Sequence, residues 1–113
     1  MDEQISNFKL SLKNLTLAID LLNLSYQDDE LFPEEMEEVI QEAVIKRFEY
    51  CYDLAQDIIK TNQTHSVEIW QEIQNMRAIS PKSYEPEIAD GLSQKIISEY
   101  HQFFINLKNS IKN

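Results

Sequence analysis

Residues 5–24 read ISNFKLSLKNLTLAIDLLNL and carry two apolar stripes with helical spacing. The first stripe repeats at alternating intervals of three and four residues, which is typical of a helix face that packs in a bundle. It consists of Ile5, Phe8, Leu12, Leu15, Ile19 and Leu22. The second stripe lies on roughly the opposite side and consists of Leu10, Leu17, Leu21 and Leu24. The polar strip between them holds Lys9, Lys13, Thr16 and Asp20.

A helix with two apolar stripes must cover both of them. We predict that the first stripe faces the core of the chain and that the second contacts another copy. The expected assembly is a homodimer through faces of the first and fourth helices. The alternative is that the first helix lies between two neighbours of its own chain.

Four helices are expected along the chain, at about residues 3–26, 33–61, 67–79 and 86–112. Pro33 and Pro86 suit the first turns of the second and fourth helices. Pro81 disfavours helical backbone at Ser80, so the third helix should end there. The polar stretch 61–66 should form a turn in which Thr64 or Ser66 caps the third helix.

Each later helix also has one apolar face. In the second helix it consists of Ile40, Val44, Phe48, Cys51, Ala55, Ile58 and Ile59. In the third it consists of Ile69, Trp70, Ile73 and Met76. In the fourth it consists of Ile88, Leu92, Ile96, Tyr100, Phe103, Phe104, Leu107 and Ile111. Short connections between such helices predict an all-α fold, an antiparallel up-and-down four-helix bundle that forms one domain over residues 1–113.

Composition narrows the possible functions. The chain of 113 residues has a net charge of −10, so general binding to nucleic acid or anionic membranes is not expected. A single cysteine and the lack of a signal-peptide pattern favour a cytoplasmic protein. The acidic start of the second helix is interpreted as solvated, and no residue set has metal-site spacing. We therefore expect no metal and no cofactor.

Residues 77–84 read RAISPKSY and hold the main candidates for chemistry. Arg77 falls at the edge of the apolar face of the third helix, where a charge needs a partner. Glu42, Glu49 and Asp53 of the second helix are candidates for an interhelical salt bridge. The alternative is that Arg77 binds a phosphate group, which suits its planar guanidinium.

This stretch resembles the Arg-x4-His-x-Tyr signature of HEPN domains, with Lys82 in the position of the histidine. Residues 47–55, Arg-Phe-Glu-Tyr-Cys-Tyr-Asp-Leu-Ala, resemble the Arg-Phe-Glu-Tyr-x-x-Glu-Leu-Ala segment of nucleotidyltransferase substrate-binding proteins, a HEPN branch. Asp53 replaces the usual glutamate. The resemblance covers most of the chain and implies a bundle of the HEPN type.

The resemblance also implies a partner, a minimal nucleotidyltransferase. Such pairs include toxin–antitoxin systems in which the HEPN protein is a ribonuclease and the partner silences it by transferring AMP to the motif tyrosine. Carried over to this chain, Arg77, Lys82 and Arg47 would bind phosphate, nucleotide or RNA at a local site. Tyr84 would be the modified residue, and Glu49 and Asp53 would give structural support.

Lys82 bears directly on catalysis. RNA cleavage needs a group that exchanges a proton near neutral pH, and histidine, with a pKa of about 6.5, suits that role. Lysine has a pKa of about 10.4 and would remain charged among the carboxylates of this chain. We expect a non-catalytic binding partner. The alternatives are a ribonuclease toxin with a degenerate motif, in which Arg77 and Lys82 would act, and an unrelated helical adaptor.

Overall fold

The computed structural model describes residues 2–28, 30–61 and 67–111, and these are almost entirely helical. Its helices are α1 (Asp2–Gln27), α2 (Glu34–Thr61), α3 (Val67–Ile79), α4 (Pro86–Lys95) and α5 (His101–Ser110). A 3₁₀ turn, Ser80–Lys82, follows α3. A π-helical segment, Ile96–Tyr100, joins α4 to α5 without a break, so these three segments form the predicted fourth helix. The described residues contain no strand, and the predicted all-α fold of four helices is confirmed for them.

The helix starts follow from local chemistry. The Pro33 carbonyl accepts hydrogen bonds from the backbone nitrogens of Met36 and Glu37, at 2.9 and 3.1 Å, and so opens α2. Pro86 is the first residue of α4 because proline has no amide hydrogen to leave unsatisfied there. Glu85 before it is extended, with φ −82° and ψ 122°, as expected for a residue that precedes proline. The predicted turn at 61–66 and its capping residues lie outside the described residues.

Side-chain contacts give the relative directions of the helices. The Tyr52 ring stacks on Trp70, and Glu49, earlier in α2, meets Arg77, later in α3. Phe8 of α1 contacts Phe104, whereas the later Thr16 contacts the earlier His101. Both pairs of helices therefore run antiparallel. These directions are those of an up-and-down bundle.

Aromatic rings fill the centre of the bundle. Phe48 lies 5.8 Å from Tyr100 and 6.1 Å from Phe104, measured between ring centroids. Phe104 in turn contacts Phe8 edge-on at 6.2 Å. All six residues of the first stripe of α1 are buried, as predicted. The prediction omitted four further apolar side chains that are also buried, Ala18, Ile45, Tyr52 and Ala89.

The second stripe of α1 is exposed. Leu10, Leu17, Leu21 and Leu24 have between 43 and 58% of their surface open to solvent. Although α1 contacts both α2 and α5, no described helix of the same chain covers this second stripe. In contrast to the second stripe of α1, most of the predicted apolar face of the fourth helix is buried in the core.

His101 of α5 contacts α1. It is partly buried, and its Nε2 lies 2.8 Å from the Thr16 hydroxyl. That hydroxyl lies 2.9 Å from the Leu12 carbonyl, to which it donates. Burial lowers the pKa of His101, although the nearby Asp20 carboxylate opposes this change. The histidine is therefore a neutral link between α1 and α5 near pH 7.

No helix in the described ranges combines the length and the apolar character needed to cross a membrane.

Candidate functional site

Arg77 lies in the last turn of α3 and reaches across to α2. Its Nη1 is 3.4 Å from Glu49 Oε2, and its Nε is 3.5 Å from Asp53 Oδ1. Lys46 Nζ approaches the other oxygen of Glu49 at 3.5 Å. The structure thus pairs Arg77 with two of the three predicted carboxylates. Glu49 is buried, so it requires a cationic partner nearby.

Ser80 joins this ion pair to the following turn. Its hydroxyl donates a 2.5 Å hydrogen bond to Glu49 Oε2 and accepts one from Arg77 Nη1 at 3.3 Å. The backbone carbonyl of Arg77, 2.8 Å from the same hydroxyl, is the alternative acceptor for its single hydrogen. Ser80 is almost fully buried. The group formed by Glu49, Asp53, Arg77 and Ser80, here called the Arg77 network, therefore fixes the start of the turn on α2.

The Arg77 guanidinium has two carboxylate partners, but one of its nitrogens makes no hydrogen bond. Its Nε is buried and makes no hydrogen bond, because the Asp53 oxygen at 3.5 Å provides an ion pair without hydrogen-bond geometry. The Arg77 side chain keeps 28% of its surface exposed. An incoming phosphate would have to compete with two carboxylates for this cation.

Lys82 and Tyr84 lie beyond the network and point outward. Both are exposed, and Tyr84 has 80% of its surface open to solvent. Backbone bonds from Ser83 N to Ser80 O and from Glu85 N to Lys82 O, both 3.0 Å, shape this stretch into consecutive turns. Tyr84 therefore does not seal the end of the bundle. It presents its hydroxyl on a turn whose base is fixed.

Arg47 contacts α1. Its Nη1 donates a 2.8 Å hydrogen bond to the backbone carbonyl of Asn14 in α1. Glu49, two positions along α2, instead meets α3. Residues two apart on a helix do not share a face, so Arg47 and Arg77 serve different contacts. The structure does not bring Arg47 into the Arg77 network.

Two other titratable side chains in the bundle are held in their protonated forms. Burial raises the pKa of the Cys51 thiol to about 12, and the weaker opposing effect is a hydrogen bond with Ser11. Burial, a hydrogen bond to Glu72 and its charge raise the pKa of Tyr100. The Tyr100 hydroxyl donates that bond to Glu72 Oε2 at 2.7 Å. Neither group is a nucleophile at neutral pH.

Sequence reasoning missed Ser80, which links the ion pair to the turn. The available signal was its position directly before Pro81, at a forced end of a helix. It also treated Lys9 and Lys13 only as a polar strip, although they line a groove against α5. The described residues contain no cluster of three or more potential metal ligands.

Comparison of the chain with models of protein families and with curated protein sequences finds no match.

Proposed function

We propose that this protein is a HEPN-type, non-catalytic partner of a minimal nucleotidyltransferase and that Tyr84 accepts a nucleotidyl group. The observation that carries the proposal is the exposure of Tyr84 beside exposed Lys82, on a turn held by the Arg77 network. An acceptor hydroxyl must enter the active site of another protein, so it has to project from a stable support. Both conditions are met at this turn.

The proposed reaction is a simple displacement. The Tyr84 oxygen attacks the α-phosphorus of ATP, a phosphate ester forms, and pyrophosphate leaves. The phenol proton passes to a base of the partner enzyme. Lys82, two positions earlier, supplies a positive charge for the phosphates, as lysine does at other phosphate sites.

The proposal gives Arg77 a supporting role with limited phosphate contact. Its cation is shared between Glu49 and Asp53, and its hydrogen bond to Ser80 orients the turn. Arg47, hydrogen-bonded to Asn14, is proposed only as an outer phosphate contact. Local binding of nucleotide would then depend mainly on Lys82.

One observation favours the second candidate, a ribonuclease toxin. The partly exposed guanidinium of Arg77 has a buried Nε without a hydrogen bond, so it could exchange a carboxylate for an RNA phosphate. Lys82 would then have to act as the acid or base. A lysine side chain is ordinarily charged at neutral pH and is therefore poorly suited to that work.

We also propose that the protein is a homodimer in which the second stripe of α1 supplies the apolar contact. Four leucines in a row along one helix form a surface that favours association. The fourth helix would contribute at the edge, where Ile97 is only partly buried. The dimer would present two copies of the Tyr84 turn to nucleotidyltransferase partners.

Intact-protein mass spectrometry tests the acceptor role. The purified protein is incubated with a minimal nucleotidyltransferase, ATP and magnesium. We expect a gain of one AMP mass per chain that is lost in Tyr84→Phe. Tyr50→Phe is the matched control, because Tyr50 is also exposed, at 57%. Modification that persists in Tyr84→Phe would overturn the assignment, and a stable complex without modification would favour an adaptor.

A further inference from the structure

A second site lies between α1 and α5, where an open groove has a volume of about 340 Å³. Its apolar floor is formed by Leu12, Leu17 and Ile105, and three lysines, Lys9, Lys13 and Lys108, surround it. Small-molecule sites in proteins span roughly 300–1,000 Å³, with apolar walls and a few polar groups. The groove is at the small end of that range and shares no residue with the Arg77 network.

These three lysines have no anionic partner among the described residues. The ion pairs there involve Lys46, Arg77 and Lys95. On α1 the nearest acidic residues along the chain are Glu3 and Asp20, which are more than one helical turn from Lys9 and Lys13. The groove therefore holds three positive charges that no described carboxylate pairs with.

Acidic residues are absent from the two stretches of sequence that form this groove. All 20 acidic residues of the chain lie outside residues 4–19 and 100–111, and these two stretches hold three of the ten basic residues, Lys9, Lys13 and Lys108. They pack together through contacts such as Phe8 with Phe104 and Thr16 with His101. Positive charge is therefore concentrated along one groove of a protein whose net charge is −10.

We propose that this groove binds a small organic phosphate with an aliphatic body. Three unpaired ammonium groups favour a head group with at least two negative charges, which a phosphate monoester carries and a single carboxylate does not. The leucine and isoleucine floor suits a non-polar body. The Thr16 hydroxyl, already bonded at Leu12 and His101, adds no free donor, so charge and apolar contact provide the recognition.

A soluble ligand fits better than a phospholipid in a bilayer. The groove is small, and the overall charge of −10 opposes approach to an anionic membrane surface. The site is also independent of the proposed transfer to Tyr84, since it involves different helices and different lysines.

Titration of the ¹⁵N-labelled protein with octyl phosphate, below its micelle concentration, tests the proposal. We expect amide shifts in residues 9–17 of α1 and 101–108 of α5, and binding that weakens as salt increases. Lys13→Ala and Lys108→Ala should each weaken binding by about fivefold. Lys60→Ala changes the net charge equally, on the exposed last turn of α2, and should leave binding unchanged. Lys82→Ala should also leave it unchanged, which separates this site from the Tyr84 turn.

Three related ligands test the charged head group and the alkyl chain of octyl phosphate separately. Octanoate and inorganic phosphate should bind more weakly than octyl phosphate, and neutral octyl glucoside should not bind the groove. Equal binding of octyl glucoside, equal loss in Lys60→Ala, or shifts centred on residues 80–85 would overturn the proposal. Co-sedimentation with phosphatidic acid vesicles that requires Lys13 and Lys108, without binding of octyl phosphate, would instead assign the groove to a membrane surface.

Discussion

At the scale of single residues, the Arg77 network explains how a charged side chain at the edge of an apolar face is accommodated. Glu49 is buried, and its two oxygens are shared among Arg77, Lys46 and Ser80. Breaking such a set costs more than removing a surface ion pair, because the remaining carboxylate stays buried without adequate compensation.

Arg77→Ala should therefore lower the free energy of unfolding by about 2 kcal/mol, measured by urea denaturation. In a Glu49→Gln background the same substitution should cost clearly less, because the buried carboxylate is absent. Lys60→Ala, an exposed charge outside the network, should have little effect. An equal cost of Arg77→Ala in both backgrounds would contradict the coupling.

His101 gives a pH dependence with a defined sign. Burial lowers its pKa in the folded state below the ordinary value of 6.5, so the unfolded chain binds the proton more tightly. Stability from this group is present above pH 6.5 and is lost as the pH falls through the lower folded pKa. The Asp20 charge opposes the shift without reversing it.

Urea denaturation at pH 7.5 and 5.5 should thus show a loss of stability in acid that is smaller in His101→Gln. His65→Gln, which changes the other histidine of the chain, is the matched variant for comparison. A loss that is unchanged in His101→Gln would show that other groups control the pH dependence in this range.

At the scale of the elements, periodicity was sufficient to predict the helices because each of them turns one apolar face toward a common core. The first stripe of α1 is buried in full, and Pro81 and Pro86 mark the predicted breaks. The π-helical segment Ile96–Tyr100 was not predicted, because an interval of four between Ile96 and Tyr100 suits an α-helix equally well. Periodicity also predicts the side of the helix on which a charged residue lies, but not the residue that it contacts. The hydrogen bonds of Ser80 with Glu49 and Arg77 could therefore be identified only from the structure.

Gly91 offers a test of the fourth helix. It lies inside α4 on the exposed side, and a Cβ at this position would have no neighbour within 4 Å beyond the adjacent residues and the backbone of its own helix. Gly91→Ala should raise the free energy of unfolding by about 1 kcal/mol, because alanine loses less backbone entropy in a helix. Gln94→Ala, another exposed position in α4, should change it much less. If Gly91→Ala instead lowered the free energy of unfolding, this position would require glycine for a reason that the described contacts do not contain.

At the scale of the whole molecule, the surface divides into regions of different character. The leucine stripe of α1 is exposed and apolar, the groove beside it is basic, and the start of α2 is acidic. Gln41 Nε2 donates to Asp90 at 2.8 Å and joins that acidic start to α4. Leu17 belongs to both the second stripe of α1 and the groove, so the proposed dimer interface and the proposed ligand site would share this residue.

Light scattering after size exclusion tests the dimer. The parent should have about twice the mass of the 13.3 kDa chain, and Leu21→Glu with Leu24→Glu should shift it toward one chain. Leu31→Glu introduces one such charge at an exposed leucine outside α1 and should leave the dimer intact. A parent that elutes at the mass of one chain would contradict the proposed interface.

In the proposed function, the turn that carries Arg77, Lys82 and Tyr84 supports binding and modification without cleaving RNA. The most direct test is to incubate the parent, Arg77→Ala and Lys82→His with a mixed RNA pool and to quantify the products. We predict no cleavage by the parent, and activity in Lys82→His would mark a HEPN site that lost its histidine. Cleavage by the parent that Arg77→Ala abolishes would contradict the account and make the protein a ribonuclease.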